Sequence, residues 1–427
     1  MRVLLGIVAA AFLTASATAH LPRQEPAREW TVGGRLVRAS LSGIEGDAIE
    51  LKLPDGKREV VPLSELSDAD RKAVEDWREN RPIEMPESAG IDGPVPVEVV
   101  NEEGKDGRYI YRTPHFEFIS EGRLTQALLR DVARNFEATY ELLRVLPWGI
   151  DPRPEEGDRF RALLVRSRTR YQEEGGPPNS GGVYFRSRAM FIVPFDSLGL
   201  RPVGNSFSKA SDYSSETLVH ELTHQMMNAW LSILPIWVTE GTAEYAALLP
   251  LRFGVFRVSS AKSAFRDYID RLERRDGGVP EPYPIEKLFW VTDEDWSATL
   301  ARDPAESRRL YFTSYLLVYY FMHLDGEGDG RLFVRYMRDV GKVKREVEAY
   351  FDAVAEFKKN PEVEVLADGR YRWPSTLTHP TRPAVLESEE KRREFEQQTL
   401  AILLNGRTTE ELMDEIRTAY RRLGLRL

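Results

Sequence analysis

Alternation of apolar and polar residues predicts a small β-domain near the N-terminus, over residues 28–80. Four short segments alternate in this way, and glycine-containing turns separate them at hairpin spacing: residues 30–32, 36–41, 48–53 and 60–63. A short helix is predicted to follow, from about residue 64 to residue 78. Prolines, glycines and acidic residues then dominate residues 81–107, a composition typical of a linker.

From residue 108 onwards, strand and helix periods mix. Strands are predicted at residues 109–120, 160–165, 183–185 and 189–194, an amphipathic helix at 124–146, and a second helix from Ser214 or Ser215 to about Leu231. Helices then predominate, with segments expected at residues 259–274, 285–289, 307–324, 332–336, 343–358, 384–403 and 413–423. We therefore predict an α+β fold: a domain at residues 108–360, with a small mixed sheet and a mainly helical C-terminal part, and a helical extension at residues 361–427.

The first residues have the pattern of a secretory signal peptide. Arg2 precedes an apolar segment at residues 3–13, and Ala17 and Ala19 form a small-x-small cleavage pattern. We expect residues 1–19 to be removed near Ala19–His20 and the mature protein to be secreted or periplasmic; an uncleaved anchor is the alternative. No later segment reaches the roughly 20 apolar residues that span a bilayer, so no transmembrane segment is expected in the mature protein.

Composition narrows the chemistry. The formal net charge is −9 over 427 residues, which gives no electrostatic basis for binding nucleic acid. The chain has no cysteine, so disulfides and thiolate metal ligands are excluded. Histidine and carboxylate side chains remain as ligands for zinc.

The strongest chemical signal is the segment His220-Glu221-Leu-Thr-His224. On an α-helix, residues four apart lie on one face, about 6 Å apart along the axis, so both imidazoles can bind one metal ion. Glu221 would then lie beside the metal. A carboxylate in that place can take a proton from a water molecule that the metal activates.

Two acids downstream extend this pattern. Glu240 comes after an expected helix end near residues 234–235, from which a second helix can return antiparallel, so we expect it to be the third ligand. Glu244 lies about one helical turn further and can accept a hydrogen bond from the non-metal nitrogen of a ligand histidine. One Zn²⁺ per chain, with an open coordination position, is the resulting prediction.

These motifs resemble those of the gluzincin metallopeptidases, in which two histidines and a downstream glutamate bind zinc. The segment Trp237-x-x-Glu240-Gly-x-Ala is similar to zinc aminopeptidases, and Glu240-x-x-x-Glu244 looks like the equivalent segment of thermolysin-like enzymes. The resemblance implies the following roles: ligands His220, His224 and Glu240, base Glu221, and a supporting carboxylate at Glu244. Residues 108–360 resemble, more loosely, the peptidase-MA-like group of gluzincins found in secreted bacterial proteins.

The same resemblance suggests two further parts of a site. Tyr311-Phe-Thr-Ser resembles the segment in which aminopeptidase-like gluzincins carry the tyrosine that stabilises the oxyanion; His323 is the alternative donor, and a core aromatic is the other interpretation of Tyr311. The strand at residues 183–185 or 189–194 corresponds to the sheet edge along which gluzincins pair substrate backbone, although an internal strand is equally compatible. The substrate-binding side chains stay unknown.

Residues 30–70 resemble the Sla homology domain, a small SH3-like barrel of secreted bacterial proteins, through Trp30-Thr and Pro62-Leu-Ser-Glu-Leu-Ser-x-x-Asp70. The resemblance implies a docking module for a partner in the cell envelope. A packing appendage without a ligand is the alternative.

The sequence as a whole favours a secreted zinc metallopeptidase that acts on peptides or proteins. The Gly-x-Met-x-Asn segment with which aminopeptidases bind a free amine is missing, so an endopeptidase is preferred. The alternative is a catalytically inactive, peptidase-like binding or scaffolding protein of the cell envelope. A purely structural metal site is disfavoured because only three protein ligands are evident.

Overall fold

The structure, a computed structural model, describes residues 27–45, 48–80, 83–101, 107–178, 180–204, 206–210, 213–275, 277–365 and 371–427. The predicted signal peptide and part of the predicted linker lie outside these residues. The chain divides into two compact units between residues 81 and 82. Within the described residues, no helix combines the length and apolar character needed to cross a membrane.

The first unit is an antiparallel meander of four strands: β1 (Arg28–Val32), β2 (Arg35–Glu45), β3 (Ala48–Lys52) and β4 (Arg58–Pro62). Helix α1 (Asp68–Asn80) follows. Alternate strand residues form a small core around Trp30, whose indole donates to the Ala39 carbonyl at 2.9 Å. Asp70 of α1 joins the helix to β1 because its carboxylate accepts from the Thr31 amide at 2.8 Å.

The second unit contains the remaining strands and helices. Its strands are β5 (Ala89–Gly90), β6 (Glu98–Asn101), β7 (Tyr109–Arg112), β8 (Phe116–Ser120), β9 (Phe160–Val165), β10 (Val183–Phe185), β11 (Met190–Pro194), β12 (Leu200–Val203), β13 (Ser206–Lys209), β14 (Leu251–Arg252), β15 (Val255–Phe256), β16 (Glu364–Val365) and β17 (Tyr371–Arg372). Its helices are α2 (Gln126–Val145), α3 (Arg168–Glu173), α4 (Glu216–Met226), α5 (Ile236–Leu248), α6 (Ala261–Arg275), α7 (Ile285–Leu288), α8 (Asp293–Arg302), α9 (Pro304–His323), α10 (Arg331–Phe357), α11 (Glu389–Leu404) and α12 (Thr409–Arg422). The mixed α+β prediction is therefore confirmed.

The main sheet has the strand order β10-β11-β9-β8-β7-β6. Strands β11, β9 and β8 run parallel, whereas β10 is antiparallel to β11 and forms one edge. Apolar residues from one face of this sheet join α2, α4, α5 and α9 in the large core, and Tyr171 of α3 packs with residues from the other face. Helix α4 thus packs on one face of the sheet and contacts β10.

Several local predictions need correction. The helix expected to reach Leu231 ends at Met226, because a series of hydrogen-bonded turns then directs Trp230, Ile233 and Leu234 into the core. The two helices expected at residues 332–336 and 343–358 are the single helix α10, and α8 was not predicted at all.

The stretch read as linker also contains regular structure, since β5 and β6 lie within it. Strand β5 pairs with β15 through Gly90, where a Cβ atom would lie 2.1 Å from the Gly254 carbonyl oxygen. Only glycine allows such a close backbone approach. A glycine that suggests a linker from sequence is here required for a strand contact.

Candidate metal centre

Helix α4 presents two histidines because its own apolar residues fix its rotation. Leu218, Val219 and Leu222 are buried in the core, and Gln225 donates to the Arg161 carbonyl of β9 at 3.0 Å. These contacts hold the helix against the sheet. Residues 227–234 then turn the chain, and α5 begins after Pro235, whose fixed backbone angle suits a helix start.

Three donor atoms from α4 and α5 converge at one point. His220 Nε2 lies 3.0 Å from His224 Nε2 and 3.2 Å from Glu240 Oε2, and His224 Nε2 lies 3.5 Å from that oxygen. A circle through these atoms has a radius of about 1.9 Å, so an ion at the usual Zn–N and Zn–O distances of roughly 2.0–2.2 Å fits just outside their plane. His220, His224 and Glu240 could therefore hold a metal ion.

The cluster has an unsatisfied acceptor. Glu240 is buried, and its Oε2 atom accepts no hydrogen bond of acceptable geometry from any described residue, although two imidazole nitrogens lie within 3.5 Å. A buried carboxylate oxygen without a hydrogen bond is costly unless a cation compensates it. The three side chains keep 11–15% of their surface exposed, so the donors are not fully shielded from solvent.

The electrostatics of these side chains also favour a cation. Burial lowers the pKa of His220, but the carboxylates of Glu240 and Glu244 outweigh it and raise that pKa well above its ordinary value. Burial raises the pKa of Glu240, and the two imidazoles outweigh this effect and lower it. The carboxylates thus create a site for positive charge, which a proton or a metal ion can fill.

Glu244 lies where it can orient a ligand. Its Oε1 atom is 3.1 Å from His220 Nδ1, the ring nitrogen that faces away from the other donors. A carboxylate on Nδ1 selects the tautomer that leaves Nε2 free for a metal. Glu240 and Glu244 are four residues apart on α5, so one helix supplies both contacts.

Glu221 lies beside the three donors without joining them. Burial raises the pKa of its carboxyl group, and the charges of His220 and His224 oppose the rise. Across the described parts of the chain, no side chain forms a hydrogen bond or an ion pair with this carboxylate. It is therefore free to accept a proton from a molecule bound at the centre.

Tyr311 reaches the same centre from α9. Its ring centroid lies 6.0 Å from that of His220, at an interplanar angle of 60°. His323, the alternative donor, is twelve residues later on the same helix, about 18 Å along the axis. It instead contacts the Tyr245 hydroxyl through Nε2 at 2.9 Å, so it cannot share a site with Tyr311.

Gly241 explains how α5 and α9 come close enough for this arrangement. A Cβ atom at this position would lie 2.4 Å from the Ser314 carbonyl oxygen and 2.7 Å from Val318 Cγ2. The helices therefore touch at a point where only glycine fits. This contact places Tyr311, three residues before Ser314, near the carboxylates on either side of Gly241.

The sequence did not identify Trp296, whose ring meets that of Tyr311 edge-on at 5.2 Å and 80°. Its helix, α8, has a recognisable start, since Thr292 caps it and accepts a hydrogen bond from the Asp295 amide. Thr292 followed by three acidic residues was the available signal. The contact with Tyr311 has no signal in the sequence because it joins two separate helices.

The arrangement as a whole combines a three-donor metal cluster, a free carboxylate, a hydroxyl group and a nearby sheet edge. Comparisons with models of known protein families and with curated proteins find no match to the chain. These side chains could place a metal ion, a base and a hydrogen-bond donor around one water molecule.

Proposed function

We propose that this protein is a zinc-dependent metallopeptidase of the gluzincin type, which hydrolyses peptide bonds within peptides or proteins. One observation carries the proposal: His220, His224 and Glu240 converge within 3.5 Å while the intervening Glu221 stays unpaired beside them. A structural site needs no such free carboxylate. Its fourth ligand would also have to come from the protein, whereas catalytic zinc sites keep one position open.

The donor set favours zinc. Two imidazoles and one carboxylate are a common set at catalytic zinc sites, and the chain has no cysteine to offer instead. When bound, zinc would supply Lewis acidity, which lowers the pKa of a water molecule and polarises a peptide carbonyl. Glu244 would keep His220 in the tautomer that binds the metal.

The remaining steps belong to the chain's own residues. Glu221 takes the proton of the attacking water and later delivers it to the departing amine; the burial that raises its pKa suits both roles. The Tyr311 hydroxyl donates a hydrogen bond to the oxygen on which negative charge develops. Removing one such donor in other hydrolases costs about 10²–10³ in turnover, so its contribution would be large.

Strand β10 would bind the substrate backbone. It forms one edge of the main sheet and packs against α4. An extended peptide added to this edge would run beside the metal centre, and its backbone groups would pair as in a further strand. This mode of binding does not require a free terminus, which agrees with an endopeptidase.

The N-terminal unit and the export signal complete the proposal. The four-stranded meander with its helix is compatible with an SH3-like Sla homology domain that docks to an envelope partner. Residues 1–19 would direct the protein out of the cytoplasm. N-terminal sequencing of protein recovered from the producing cell tests this point, and a chain that retains Met1 would contradict it.

Metal analysis and proteolysis together test the catalytic proposal. The wild type should carry one zinc per chain and cleave casein, whereas Glu221→Gln should retain zinc and lose about 10²–10⁴ in kcat, the usual contribution of a general base. Glu216→Gln is the matched control, because it makes the same change on the same helix at a residue that pairs with Arg271. Its activity should stay near that of the wild type.

The outcomes separate the alternatives. Wild type that neither contains nor takes up zinc would overturn the metal site. Stoichiometric zinc without cleavage of any unfolded protein tested would favour the inactive scaffolding protein. Equal activity in wild type and Glu221→Gln would exclude Glu221 as the base.

A further inference from the structure

We infer that Trp296 is a positioning residue for Tyr311: once substrate is bound, its indole N–H donates to the Tyr311 hydroxyl oxygen and so directs the hydroxyl proton towards the substrate. The inference rests on the proposed function, because it assigns a second partner to the residue that would stabilise the oxyanion. Trp296 is not one of the three candidate metal donors, and it has no place in the reaction itself.

Helix α8 contributes one residue to the interior. Of its ten residues, Trp296 alone is buried, and it is 2% exposed. The rest of the helix is largely acidic or small and faces solvent. The main structural effect of α8 is therefore to hold one indole ring against α9, where it meets Tyr311 edge-on.

The indole N–H needs an acceptor. Trp296 Nε1 is fully buried and has no hydrogen bond of acceptable geometry to any described residue. Its ring meets that of Tyr311 edge-on, with the centroids 5.2 Å apart, so the Tyr311 hydroxyl is an acceptor that a small closure would bring within hydrogen-bond distance, as catalytic hydrogen bonds often tighten once substrate is bound.

This bond would have a directional consequence. A tyrosine hydroxyl is both donor and acceptor, and its proton rotates to suit its partners. Once the oxygen accepts the indole N–H, the proton must point elsewhere, and the His220 side of the ring is where substrate would lie. Hydrogen bonds in such a chain also polarise one another, so the hydroxyl becomes a stronger donor.

The short connection between α8 and α9 keeps the Trp296 ring next to the Tyr311 ring. Asp303 alone separates α8 from α9, and its Oδ1 atom accepts from the Ala305 and Glu306 amides at 3.0 Å each. Ser307 also donates to the Asp303 carbonyl at 2.7 Å. A short, capped junction of this kind leaves little freedom for Trp296 to move away from Tyr311.

The test removes the N–H and keeps the ring. Trp296→Phe should lower kcat for peptide cleavage about tenfold and leave KM within about twofold, the loss expected for one hydrogen bond of ordinary strength. Trp230→Phe is the matched control: Trp230 is also 2% exposed with an unpartnered Nε1, but it packs against Gly341 and Lys344 of α10. Its kcat should not change. In a Tyr311→Phe background, Trp296→Phe should cause no further loss, because its partner is gone.

A second measurement does not depend on turnover. In protein with ¹⁵N-labelled tryptophan, Trp296→Phe identifies the Trp296 indole signal, and Tyr311→Phe should shift it while the Trp230 signal stays in place. An indole signal that Tyr311→Phe leaves unmoved would overturn the inference, even in an active enzyme. So would losses that multiply in the double variant, or an equal loss in Trp230→Phe. Wild type without peptidase activity would overturn the proposed function, and the indole signal alone would then decide whether the Trp296–Tyr311 bond exists.

Discussion

Replacing Gly241 with alanine adds a single methyl group at the closest contact between α5 and α9. The new Cβ atom would lie 2.4 Å from the Ser314 carbonyl oxygen and 2.7 Å from Val318 Cγ2. Val318 can rotate, but Ser314 O belongs to the helix backbone and cannot. One of the two helices must therefore move by several tenths of an ångström or more.

The cost can be compared with that at a second helical glycine. Overpacking a tight interior costs about 1–3 kcal/mol, and the backbone contact places Gly241→Ala near the upper end. Alanine recovers about 1 kcal/mol through its better helix propensity, which leaves a net loss of about 2 kcal/mol in the free energy of unfolding. At Gly341 of α10, the nearest atom to a new Cβ is Trp230 Cη2 at 3.1 Å, a side-chain atom that can shift. Gly341→Ala should therefore be close to neutral.

Urea denaturation of the second unit, followed by tryptophan fluorescence, measures both changes. Gly241→Ala should be about 2 kcal/mol less stable than Gly341→Ala. It should also bind zinc more weakly, because Glu240 and Glu244 flank the displaced position. A Gly241→Ala protein as stable as wild type, or an equal loss in Gly341→Ala, would refute the claim that α5 and α9 need glycine here.

Two further changes test the surroundings of the site. Glu244→Gln removes the charge that faces His220 Nδ1 at 3.1 Å, so zinc affinity measured against a competing chelator should fall about 10–100-fold; unchanged affinity would argue against an orienting role. His323→Gln removes a buried titratable group. Burial lowers the pKa of His323 to about 4, whereas its pKa in the unfolded chain is about 6.5. As pH falls below about 6.5, the unfolded chain binds the proton more readily than the folded chain does, so the free energy of unfolding decreases. The free energy of unfolding of metal-free wild type should drop by about 3 kcal/mol more than that of His323→Gln between pH 7 and pH 4, and parallel pH profiles would contradict this assignment.

Local patterns predicted most of the elements around the metal cluster. The sequence predicted both ends of α2 and α9 to within three residues and the start of α4 to within two. It predicted β9, β10 and β11 to within one residue. The spacing of His220 and His224 already implies that both rings face one side of a helix. These properties depend on neighbours a few residues away, so a single sequence contains them.

The wrong predictions concern elements that depend on contacts between residues far apart in the sequence. α4 ends at Met226 because the chain then turns and buries Trp230 and Ile233 in the core. Helix propensity does not predict this end, because it depends on residue type and not on packing. α10 continues through Gly341 because the glycine packs against Trp230. Gly90 suggested a linker, yet it forms a strand contact with residues far along the chain. In each case tertiary packing overrides a correct local preference.

Gly241 and Trp296 extend the same reasoning to the site. The sequence places Gly241 beside Glu240, but the reason for a glycine is the contact with Ser314 of α9, and the local pattern does not show that α9 packs there. Trp296 lies in an acidic helix with no apolar stripe, so periodicity gives it no role, and only its burial against Tyr311 distinguishes it. The three candidate metal donors are close together in sequence because two consecutive helices and the turn between them bring them to one point. Tyr311, the proposed oxyanion donor, comes from a separate helix, and its alignment with the carboxylates of α5 depends on the contact at Gly241.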